Sequence, residues 1–108
     1  MAKAQIVIGE MTGGGINGYE YLGLQTWRGN TYPFVLNVSQ KCKGVIMGYK
    51  NTQGNPLVVF GFDGFDNNLL QITGQSWSYA VTYTDNTISI GDRALTNVDM
   101  NFDVYAIY

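Results

Sequence analysis

Trp77-Ser78-Tyr79-Ala80-Val81-Thr82-Tyr83-Thr84-Asp85-Asn86-Thr87-Ile88-Ser89-Ile90 is the stretch on which the fold turns. Bulky and small or polar residues alternate with period two on both sides of Asp85-Asn86, the pattern of two strands whose successive side chains point to opposite faces. Asp and Asn bond their own backbone and tolerate positive φ, so the pair predicts a short turn and an antiparallel hairpin joining 77–84 to 87–90. Trp77, Tyr79, Val81 and Tyr83 read as the core row, with Ser78, Ala80, Thr82 and Thr84 on the other face.

The same period runs outward in both directions. Apolar residues recur at spacing two or in short runs over 5–8, 19–27, 32–38, 44–49, 57–62, 69–73 and 101–107, and no window of a dozen residues keeps the 3.6 spacing of an amphipathic helix. Gly, Asn and Asp clusters separate the segments, among them Gly13-Gly14-Gly15, Arg28-Gly29-Asn30 and Asn51 to Pro56. The expectation is an all-β chain, an antiparallel β-sandwich, jelly-roll-like, of about eight to nine short strands. At 108 residues it forms one domain, 1–108, around one core. Gly44 to Tyr49 and Val58 to Phe62 echo each other across the Asn51 to Pro56 turn and predict a second hairpin. Within the rows, Tyr32, Phe34, Leu36 and Val38 face inward, as do Phe102, Val104 and Ala106, opposite Asn101, Asp103, Tyr105 and Ile107. Ile6 to Ile8, Val45 to Met47 and Leu57 to Phe62 are apolar on both faces, which predicts cover from a second layer or another subunit.

Composition narrows the function. Charged residues are 13% of the chain, about half the usual share, and the net charge is −2. Six scattered basic residues cannot neutralise a run of phosphates, so nucleic acid is not an expected partner. No run approaches the roughly 18 apolar residues of a membrane span, so no membrane insertion is expected. The apolar stretch at Ile6-Val7-Ile8 is too short for a secretory signal, which predicts synthesis in the cytoplasm. Cys42, the one cysteine, reads as a small buried side chain, with no disulfide and no thiol cluster for a metal. With no histidine the commonest general base and any Ser-His or Cys-His pair are absent, and an enzyme is not expected. Gly13-Gly14-Gly15 lacks the Lys-Ser/Thr and helix of a phosphate cradle and reads as a linker or wide turn. Asp63 and Asp66, in Phe62-Asp63-Gly64-Phe65-Asp66-Asn67-Asn68, read as turn chemistry. The alternative is a calcium site of Asp63, Asp66 and Asn68, although the spaced ligand pattern is missing, and no cofactor or metal is expected.

The aromatic residues carry the most information. Two tryptophans, five phenylalanines and eight tyrosines exceed what a core of this size readily absorbs. Over 19–28 one row is Tyr19, Tyr21, Gly23, Gln25 and Trp27, and the other is Glu20, Leu22, Leu24, Thr26 and Arg28. Leu22 and Leu24 place the second row inside, which leaves Tyr19, Tyr21, Gln25 and Trp27 as a candidate ligand-binding row on the outside. Flat exposed rings beside amides suit stacking on sugar faces and equally suit a subunit or partner contact. The third possibility is an ordinary core row with the two faces reversed.

The scarcity of charge, the Gly/Asn turns, the strand Tyr19-Glu20-Tyr21-Leu22-Gly23-Leu24 and the closing strand Asn101-Phe102-Asp103-Val104-Tyr105-Ala106-Ile107-Tyr108 resemble the small β-domains of bacteriophage virions, above all receptor-binding and tail-fibre tip domains. The likeness spans the whole chain in style without a diagnostic motif. It implies a non-enzymatic homotrimeric β-sandwich, resident in the virion, that binds host-surface saccharide. The alternatives that follow from the same residues are a structural capsid or tail decoration subunit, which would contact other virion proteins, and a small soluble inhibitor of a host protein. The long fibrous stem of a tail fibre is missing, which suits a separately encoded subunit or an excised head domain.

Overall fold

The computed structural model describes residues 16–50, 56–64, 68–71 and 78–108. Among them the chain is all β, with strands β1 (Tyr19–Trp27), β2 (Phe34–Asn37), β3 (Gly44–Lys50), β4 (Pro56–Phe62), β5 (Asn68–Gln71), β6 (Ser78–Tyr83), β7 (Thr87–Ile90) and β8 (Met100–Ile107). All pairings are antiparallel and follow the order β1-β8-β3-β4-β5-β6-β7-β2. Four strands, β1, β8, β3 and β4, make one sheet; β6, β7 and β2 make the other. β5 joins them, because β6 pairs with β5 through Ser78 to Ala80 and with β7 through Val81 to Tyr83. The expected segment 5–8 and the side chain of Trp77 lie outside the described residues.

Both hairpins expected from the sequence form. Val81 faces Ile90 and Tyr83 faces Ile88, and the turn closes where the Thr84 amide donates to the Thr87 carbonyl at 2.9 Å. Gly44 faces Phe62 and Ile46 faces Phe60. The Gly44 position has no room for a side chain: a Cβ there would stand 2.5 Å from the Phe62 ring and 2.7 Å from the Gly61 carbonyl oxygen.

Both sheets feed one buried cluster. β8 contributes Phe102, Val104 and Ala106 and β6 contributes Tyr79, Val81 and Tyr83, the rows the alternation assigned to the core. From β2 only Phe34 and Leu36 are buried; Val38 is half-buried and Tyr32 is exposed, because the strand starts after Pro33 and alternation does not extend to its flanks. The Phe34 and Phe102 rings lie 6.4 Å apart across the two sheets, and Phe102 also meets Tyr49 of β3 at 5.6 Å. Cys42 is buried as expected, and burial pushes its thiol up from the ordinary value.

Among the described residues one core group is unsatisfied. The Tyr83 hydroxyl is buried and has no hydrogen-bond partner. Burial, more than the nearby Asp63 and Cys42, raises its phenol well above the ordinary value of 10.0. A buried hydroxyl without a partner costs about 1–3 kcal/mol of desolvation. Tyr83→Phe is therefore expected to leave stability unchanged or raise it by about 1 kcal/mol in urea unfolding. The folded state holds the Tyr83 proton to higher pH than the unfolded chain does. The Tyr83 contribution to stability should therefore be level below pH 10 and fall above it, and Tyr83→Phe should remove that part of the alkaline fall. A loss of stability in Tyr83→Phe at neutral pH would mean that the hydroxyl is bonded in solution.

Candidate functional site

The site is built on β1, and its geometry depends on one extra residue. Tyr21 faces Tyr105 of β8, but Gly23 faces Val104, so Leu22 is a bulge. Gly23 has φ 84, a conformation that favours glycine over any residue bearing a Cβ. The extra residue exchanges the faces. Before the bulge the odd positions point outward, leaving Tyr19 and Tyr21 exposed at 68% and 52%. Beyond it the odd positions point inward. Leu24 is 64% exposed, and Trp27 is 2% exposed.

Three sequence-based assignments are therefore corrected. Trp27, expected on the outer row, is a core residue. It stacks on Phe34 at 5.2 Å with an interplanar angle of 18°, meets Tyr79 edge-on at 5.8 Å, and donates from Nε1 to the Thr31 carbonyl at 2.9 Å. A Cβ on Gly91, whose φ is 106, would come within 3.1 Å of the Trp27 ring. Gln25 is half-buried and donates from Nε2 to the Leu22 carbonyl at 2.7 Å, which satisfies a group the bulge leaves open. Leu24, expected inside, is the residue turned out in their place. The physical reason in each case is the face exchange at Leu22-Gly23.

The outer face of the first sheet gathers residues far apart in the chain. Tyr21, Tyr105, Ile46 and Phe60 stand opposite one another in turn across β1, β8, β3 and β4, so their side chains share one face. The exposed part of this face lies over β1 and β8. Gly18 and Tyr108 exchange both backbone hydrogen bonds, at 2.6 and 2.9 Å, which makes Tyr19–Ile107 and Tyr21–Tyr105 the close, non-hydrogen-bonded pairs of the ladder. The ring centroids follow: Tyr21 lies 5.0 Å from Tyr105, and Tyr19 lies 6.1 Å from it. The Tyr21 hydroxyl donates to Asp103 Oδ1 at 2.6 Å, and this bond raises the Tyr21 phenol above its ordinary value. Beside it the Thr26 hydroxyl donates to Asn101 Oδ1 at 2.6 Å.

The platform thus consists of three tyrosines and Leu24, with Asp103 and Asn101 along one side. Of the four candidate ligand-binding residues, Tyr19 and Tyr21 belong to it, and Gln25 and Trp27 do not. Tyr105, Asp103 and Leu24 were missing from the candidate row. Alternation placed Tyr105 and Asp103 on the outer row of their strand, but only the pairing of β1 with β8 brings that row to Tyr21. Asp63 of the alternative calcium site is exposed in a turn with Gly64, whereas Asp66 and the Asn68 side chain lie outside the described residues. No helix among the described residues is long and apolar enough to cross a membrane. No family model, curated protein or solved structure matches the chain.

Proposed function

We propose that the chain is a non-enzymatic binding module of the phage-virion type, a receptor-binding or tail-fibre tip domain that contacts host-surface saccharide through Tyr19, Tyr21 and Tyr105. The observation that carries this reading is the exposed tyrosine cluster beside the Asp103 carboxylate. Aromatic faces take the apolar C–H side of a sugar ring, and a carboxylate and an amide accept from and donate to its hydroxyls. The absence of histidine from the sequence, together with Asp103 as the one carboxylate among the described residues of this face, supports binding over catalysis. A jelly-roll-like sandwich is the architecture that goes with this reading. The β1–β8, β8–β3 and β2–β7 pairings are those of a jelly roll, while the β3–β4 and β6–β7 hairpins depart from its crossings.

A glycan array tests the site. The wild-type chain is expected to bind a defined class of saccharide, and Tyr19→Ala, Tyr21→Ala and Tyr105→Ala should each weaken binding by about fivefold, the equivalent of roughly 1 kcal/mol per ring. The three rings are exposed, so each variant should stay within about 1 kcal/mol of wild-type stability. Retained binding in the triple variant would remove the assignment.

A second reading has its own observation. The row continues past Tyr105 into Ile46 and Phe60, which are half-buried and apolar, and this suits a decoration subunit packed against another virion protein. It predicts blank arrays and a partner footprint extending over β3 and β4.

A further inference from the structure

Among the described residues the strand order leaves two edges, and they are not equivalent. β2 is four residues long and follows Pro33, two features that blunt an edge. β1 is nine residues long and contains no lysine, arginine or proline. Its one charge, Glu20, points to the opposite side from the tyrosines and accepts from Ser39 Oγ at 3.3 Å. Among the described residues, β1 has a strand on one side only.

The ladder with β8 fixes which backbone groups face that open side. Because Gly18–Tyr108 is a hydrogen-bonded pair, the N–H and C=O groups of Tyr19 and Tyr21 point away from β8. Past the bulge the same alternation turns those of Leu24 and Thr26 outward. Residues with open backbone groups are thus the residues whose side chains form the exposed part of the platform. The bulge divides them into 19–21 and 24–26, with the Leu22 carbonyl between them already capped by Gln25.

We propose that this edge is a self-association site at which a second copy of the chain adds its own β1 antiparallel, about a twofold axis. An identical strand offers the same open groups in the same spacing, and antiparallel pairing of like with like closes at two copies. Charge does not oppose it, since Glu20 lies on the other face and Asp103 sits one strand in from the edge. Pairing in the plane of the sheet satisfies the open N–H and C=O groups of Tyr19, Tyr21, Leu24 and Thr26 in both copies, while the side chains of Tyr19 and Tyr21, which stand out of that plane, stay turned to solvent. The twofold also sets two tyrosine platforms side by side, which doubles the contact with a repeating ligand.

Light scattering across a dilution series tests the pairing. The expected mass is twice the 11.9 kDa of the chain at high concentration, falling to the monomer on dilution. Leu24→Lys places a charge at the open edge and should raise the dissociation constant at least about tenfold. Leu24 is exposed, so the fold is retained, as circular dichroism would check. Val35→Lys, on the β2 edge, should leave the dimer unchanged. A monomer at every concentration, a trimer, or a dimer indifferent to Leu24→Lys overturns the proposal. It stands apart from the saccharide reading: a monomer that binds glycan sinks the pairing alone, and a dimer with blank arrays sinks the saccharide alone.

Discussion

Trp27→Ala is expected to remove about 3–5 kcal/mol of stability, the range for emptying a buried large aromatic site. The ring lies between Phe34 of β2 and Tyr79 of β6, and its indole N–H holds the Thr31 carbonyl. Its surroundings cannot collapse into the gap. The loop after β1 is fixed by the Gly29 amide donating to Asp99 and the Asn30 amide donating to Thr96, and a Cβ on Gly29 would stand 2.6 Å from the Asn97 backbone. A domain of this size has about 5–15 kcal/mol in total, so the variant should unfold at much lower urea than the wild type. A loss below about 1 kcal/mol would place the ring at the surface and contradict the face exchange at the bulge.

Phe102→Ala is the second large effect, again about 3–5 kcal/mol. Phe102 is fully buried and touches Phe34 from one sheet and Tyr49 from the other. It tests whether the two sheets share one core. Because Trp27 and Phe102 both contact Phe34, the double variant should lose less than the sum of the single losses, whereas independent cores would give simple additivity. Two-state urea curves of the four proteins decide between these outcomes.

Much of this was legible in the sequence because the period of a strand is local. The β6–β7 hairpin follows from alternation around Asp85-Asn86, and the buried row Phe102, Val104, Ala106 follows from the same rule. Alternation alone assigns the second half of β1 to the wrong faces for a physical reason. Period two fixes the face only while the ladder is regular, and one extra residue at Leu22 reverses it. A glycine inside a strand is a recognised mark of a bulge, so Gly23 was the available signal. Tyr105 could not be joined to Tyr21 from sequence alone, since their pairing depends on which of several antiparallel strands β1 adopts as its neighbour.

The outer face of β1 and β8 is the proposed saccharide-binding surface. The direct measurement is an amide chemical-shift titration of the folded chain with the saccharide selected on the array. The predicted result is a set of perturbations centred on Tyr19, Tyr21, Leu24, Asp103 and Tyr105. Perturbations centred instead on the loops around Tyr32 and Val98, or none at saturating saccharide, would contradict it.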